Sequence, residues 1–139
     1  MTLELAEFLL CDEVSNELII EHLGEVLGLD RSAISTLDEL WPLLPSDRRL
    51  LAVDFSRGKK GYRVLVKLYS NFEFSDLGGM AKSFAVRFAT AVAISNCDQP
   101  LPDLVYIYKR DGGMAHGVDV STADTHAFLE VPNGSLGDI

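Results

Sequence analysis

The sequence predicts an α+β domain: a mainly antiparallel four- or five-stranded sheet packed on a long central helix, with N-terminal helices as an outer layer. Residues 75–96 read as one helix with apolar residues on nearly every side, residues 50–69 and 104–120 alternate as two hairpins, and residues 12–27 form a two-faced helix with an apolar side to bury.

Residues 3–10 are ambiguous, because a short apolar run fits either a helix or a strand. Asp12 or Ser15 then offers an N-cap for a helix reaching about Leu27, with Gly28 where a terminating glycine belongs. Leu18, Ile19, Leu23, Val26 and Leu27 share its apolar side, and Glu13, Glu17, Glu21 and Glu25 step by four along the other. Ser32, Ser35 or Thr36 is a candidate cap for a short helix through Trp41, which Pro42 and Pro45 would end. Trp41 is expected as a lid on the core.

Leu51, Val53 and Phe55 alternate with Ala52, Asp54 and Ser56, and after a basic tip at 57–61 the period resumes with Tyr62, Val64, Val66 and Leu68. In the long helix, capped by Ser75 or Asp76, a core-facing stripe of Leu77, Met80, Ala81, Phe84, Phe88, Ala91 and Val92 is expected. The small residues opposite, Ala85, Val86, Ala89 and Ala93, call for a second covering layer. Pro100 and Pro102 force an extended crossing. Residues 104–109 are β-rich, Gly112 and Gly113 turn them, 114–120 return, and a third strand is expected near 127–131. One domain is thus expected over 1–131, with a flexible tail at 132–139.

At 139 residues and 47% hydrophobic composition the chain can bury a proper core. Its N-terminus lacks the basic segment of a secretory signal, and Lys82 and Arg87 interrupt the best membrane-span candidate. Cys11 and Cys97 form no CxxC pair and read as buried structural thiols, so a reduced, cytoplasmic setting is expected. The net charge of −9 is segregated: residues 1–40 carry ten acids and one base, 41–97 carry four acids and nine bases, and 98–139 carry seven acids and two bases. The N-terminal part repels nucleic acid and anionic membrane and attracts a basic partner.

The glutamate ridge Glu13, Glu17, Glu21, Glu25 is the sharpest feature. Like charges at this spacing cost a helix about 0.2–0.5 kcal/mol per pair, and no lysine relieves them. The ridge reads either as a solvated face or as a docking surface for a basic partner. A second cluster, His116, Asp119, Asp124 and His126, is the candidate for a metal-dependent hydrolase, although His116 and Asp119 would point to opposite faces of a strand. The basic tip lacks the glycine spacing and the Lys-Ser/Thr pair of a phosphate-binding loop. No GxSxG, GxGxxG or zinc spacing occurs.

An α+β domain with segregated negative charge and no catalytic signature resembles, in type, the small acidic immunity proteins of bacterial polymorphic toxin and contact-dependent inhibition systems. The resemblance spans the whole chain, carries no family motif and assigns no residue a role. It implies a stoichiometric binder, monomeric or dimeric, that covers the active site of a cognate basic toxin domain, often a nuclease, and that is not an enzyme and needs no cofactor or metal. The alternatives are the small metal-dependent hydrolase and an acidic secretion chaperone or adaptor that binds an extended segment as a dimer.

Overall fold

The computed structural model describes residues 4–36, 48–58, 60–74, 76–95, 104–122 and 125–131. Within these, eight strands form one sheet: β1 (Glu4–Leu10), β2 (Ile34–Thr36), β3 (Leu51–Arg57), β4 (Val64–Ser70), β5 (Val92–Ser95), β6 (Leu104–Tyr108), β7 (Met114–Asp119) and β8 (Phe128–Val131). Their lateral order is β2-β3-β4-β1-β5-β6-β7-β8. Every neighbouring pair is antiparallel except β2 with β3. Among the described residues two α-helices accompany the sheet, α1 (Asn16–Leu27) and α2 (Leu77–Phe88), with a single 3-10 turn at Arg31–Ala33.

The expected four- or five-stranded sheet on a long central helix is therefore wrong in three respects. The ambiguous segment at the N-terminus is the central strand β1, paired with β4 on one side and β5 on the other. The second helix ends at Phe88 after twelve residues, because Ala89 turns left-handed at φ 50 and its N–H bonds back to the carbonyls of Ala85 and Val86. Beyond it Thr90, Val92 and Ile94 are β-branched at every second position, which suits a strand and not a helix. Finally, α1 is not an outer layer over α2. Arg57 bonds Asn16 at one end of α1 and Arg49 donates to the Leu27 carbonyl at the other (3.4 Å), so α1 runs along β3, while α2 packs on β1, β5 and β6. Both helices share one face of the sheet.

The main core fills the space between them. Phe8, Leu10, Leu51, Val53, Val64, Val66 and Leu68 from the strands meet Ile19 and Leu23 of α1 and Met80, Ala81 and Phe84 of α2. Each fully buried side chain of this size contributes about 1.5–3 kcal/mol before conformational entropy is set against it. The β3–β4 and β6–β7 hairpins form as their alternation predicts, with Asp54 opposite Lys67 and Ile107 opposite Ala115. Tyr62 is the exception. It lies outside β4 and crosses to the opposite face, where its ring stands edge-on to Phe128 at 4.9 Å.

That opposite face has a smaller core of its own, Ala93, Val105 and Ile107 with Leu9, Tyr62 and Phe128 against them. It exists because the sheet curls until the β3–β4 loop touches the chain entering β8, where Tyr62 N–H donates to the His126 carbonyl at 2.7 Å. The short helix expected through Trp41 does not start at Ser32 or Ser35, because the chain there makes a 3-10 turn (Arg31–Ala33) and then β2. The rest of that segment, with Trp41, the Ser75 cap, the Pro100–Pro102 crossing, Cys97 and the tail at 132–139, lies outside the described residues.

Candidate functional site

Helix α1 begins where Ser15 accepts from the Leu18 N–H (3.3 Å), and ends at Gly28, left-handed at φ 67, whose N–H bonds to the Gly24 carbonyl. Of the ridge residues, Glu17, Glu21 and Glu25 lie on this helix and are exposed. Glu13 does not. It precedes the cap, and its Oε2 accepts from Arg57 Nη1 at 2.5 Å, while Arg57 also donates to the Val14 carbonyl (2.9 Å) and to Asn16. Glu13 thus belongs to a clamp that fixes the entry to α1.

The remaining three glutamates border an open groove of about 530 Å³ between α1 and the chain leading into β2, floored by Ile20, Gly24 and Ile34. Arg31 is the cation of this groove among the described residues. Its Nη1 donates to the Ile34 carbonyl (2.5 Å), and its Nη2 lies 3.8 Å from Glu17 with both side chains mostly exposed. Such an exposed pair is worth less than about 1 kcal/mol, so the groove keeps a net negative rim.

The inner side of α1 is turned from its expected position. Ile19, Ile20, His22 and Leu23 are buried, whereas Leu18 is 44% exposed. His22 is the residue that sequence reasoning missed. Its Nε2 lies 2.8 Å from Ser83 Oγ on α2, its Nδ1 lies 3.6 Å from Glu25 Oε2, and its ring stands nearly perpendicular to those of Phe84 (4.8 Å) and Phe88 (5.5 Å). The nearest signal in the sequence was a histidine on the apolar side of an amphipathic helix, but its partner is 61 positions away.

Serine, histidine and carboxylate in this order are the groups of a hydrolytic relay. Here they lack the rest of one. Ser83 sits within α2, where the backbone N–H groups are committed to carbonyls four residues earlier, so no pair of them converges on an oxyanion. His22 is 7% exposed with two phenyl rings against it, so its imidazole is largely closed to solvent. Burial pushes the His22 pKa below its ordinary value, and Arg87 adds to that, against the opposing pull of Glu25.

The two histidines of the C-terminal cluster are not brought together. His116 lies opposite Tyr106, against whose ring it packs at 5.2 Å, and Tyr106 borders the core on the helix side. His126 borders a cleft on the other face with Glu7, Leu65 and Phe128. The sheet stands between the two imidazoles, and Asp124 lies outside the described residues. Among the described residues no group of three or more histidine, cysteine or acidic side chains could hold a metal ion.

A cavity of about 400 Å³ opens beside the smaller core, with Cys11, Tyr62, Thr90 and Phe128 in its walls and the Lys109–Glu130 ion pair (2.9 Å) at its rim. Burial, helped by the neighbouring charge of Asp12, pushes the Cys11 thiol up, and burial pushes the Tyr62 hydroxyl up to about 12. Both groups are therefore protonated at neutral pH, the reverse of an activated nucleophile. No described helix is long and apolar enough to cross a membrane.

Comparison with family models, with curated proteins and with solved structures finds no match for the chain.

Proposed function

We propose that this chain is a stoichiometric binding protein of the immunity type, which neutralises a basic toxin domain by docking it on the outer face of α1. The single observation that carries the reading is the row Glu17, Glu21, Glu25, exposed on a well-capped helix beside an open groove and balanced by little more than Arg31. A complementary positive surface placed there associates faster and is selected over neutral partners. Glu13 is left out of the interface, since Arg57 already holds it.

The test is co-expression with the C-terminal domain encoded by the neighbouring reading frame. Rescue of growth and a complex of the two chains support the reading, and its absence in both assays removes it. In the triple variant Glu17→Lys, Glu21→Lys, Glu25→Lys, association should slow by about tenfold or more at low salt, with the difference shrinking as salt is added. Unchanged association would move the interface off α1.

A further inference from the structure

We propose that His22 is an acid-sensitive latch, holding α1 against α2 while the imidazole is neutral and loosening that contact when it is protonated. The geometry sets the two states apart. In the neutral ring Nε2 is satisfied by Ser83, and Nδ1, buried, makes no hydrogen bond, with Glu25 Oε2 at 3.6 Å beside it. Protonation leaves N–H donors and a full charge on a ring pressed against Phe84 and Phe88. A charge in such surroundings is costly unless it is paired.

The groups facing the ring supply that pairing only in part. From α1 comes Glu25, 3.6 Å away with a side chain 70% exposed, whose pull on the charged ring is weakened by water and outweighed by burial. From α2 come Ser83, already bonded, and Arg87, whose like charge opposes protonation. The sheet reaches this ring stack through Phe8, packed on Phe84 at 5.8 Å, which carries no charge. Helix α1 contributes no strand to the sheet. Loosening it from α2 therefore breaks no hydrogen bond of the strand ladder, although Ile19 and Leu23 keep α1 in the shared core.

The direction follows from linkage. The folded His22 titrates below its ordinary 6.5, so the open form takes up the proton first. The latch contributes fully above about pH 6.5, weakens as the pH falls from there toward the folded pKa, and changes no further below both values. The latch operates whether or not the outer face of α1 meets a partner.

Two measurements on the whole chain test this: NMR titration of the His22 imidazole, and amide hydrogen exchange of α1 against β1 and β4, corrected for intrinsic pH dependence. The expected titration midpoint lies below 6.5. Opening of α1 should rise on acidification by up to about tenfold for each unit by which the midpoint is lowered, and by more than that of β1 and β4. In His22→Gln the pH-dependent part of α1 exchange should disappear. A midpoint at or above 6.5, α1 protection that does not change with pH, or the same pH dependence in His22→Gln would overturn the latch. Should His22→Gln not fold, the wild-type titration and exchange decide alone.

Discussion

Ala89 is the only non-glycine among the described residues with a positive φ. A Cβ in that region costs about 1–2 kcal/mol, and glycine would remove it at the expense of a more flexible unfolded chain. Ala89→Gly should therefore raise stability by about 0.5–1 kcal/mol in urea unfolding, with α2 still ending at Phe88. A loss of stability would mean that the Ala89 methyl makes a contact worth more than its strain. Glu25 acts on a neighbour instead. It is the anion that favours a charged His22, so Glu25→Gln should lower the His22 titration midpoint further and widen the gap between folded and open states. Acid-induced opening of α1 would then be steeper, because a group whose folded pKa is depressed loses its contribution as pH falls from the unfolded value. An unchanged midpoint would show that solvent already screens the carboxylate.

Elements were legible where one face met the core and the other met water. The β3–β4 hairpin shows this, since Val64, Val66 and Leu68 are buried and alternate with the partly exposed Leu65 and Lys67. Where both faces are covered the period fades. In β5 Val92 and Ile94 face the helices and Ala93 belongs to the second core, so an almost continuous apolar run passed for more helix. The clue was the β-branching at positions 90, 92 and 94, which outweighs a stripe counted at 3.6. The glutamate row was legible because helical spacing is local, and His22 was not, because its meaning depends on Ser83, Phe84 and Phe88 of another helix. The start of α1 marks the same limit: the spacing placed Glu13 on the helix, whereas Ser15 caps it and Arg57 holds Glu13 outside. Arg57→Ala should then cost about 1–3 kcal/mol, since it leaves the Val14 carbonyl and Asn16 without their charged donor. Glu13→Gln, which disturbs only a half-exposed ion pair, should cost less than about 1 kcal/mol. Equal costs in thermal unfolding would place the clamp in the ion pair alone.

For the whole molecule, the curl of the sheet decides what the second face can be. A flat eight-stranded sheet would leave Ala93, Val105 and Ile107 open to water, whereas here Tyr62 and Phe128 close over them. The closure depends on Gly61, whose backbone approaches the chain entering β8 so tightly that an added Cβ would meet the Thr125 methyl at 2.9 Å and the His126 backbone. Gly28 is a natural control. It has nearly the same dihedral, φ 67 against 68, but open space around it. Replacing either by alanine incurs the same left-handed penalty, about 1–2 kcal/mol, so the difference between Gly61→Ala and Gly28→Ala isolates the contact between the loop and β8. Forcing that contact apart should make Gly61→Ala the worse of the two by about 1–3 kcal/mol. It should also expose Tyr62, bringing its hydroxyl down from about 12 toward its ordinary 10.0 in a spectroscopic titration. Gly28→Ala should leave that titration where it is, because the end of α1 lies across the sheet from the Tyr62–Phe128 pair. Equal costs and an unmoved tyrosine would mean that the second face is held by the strand ladder alone, with the loop contact only resting on it.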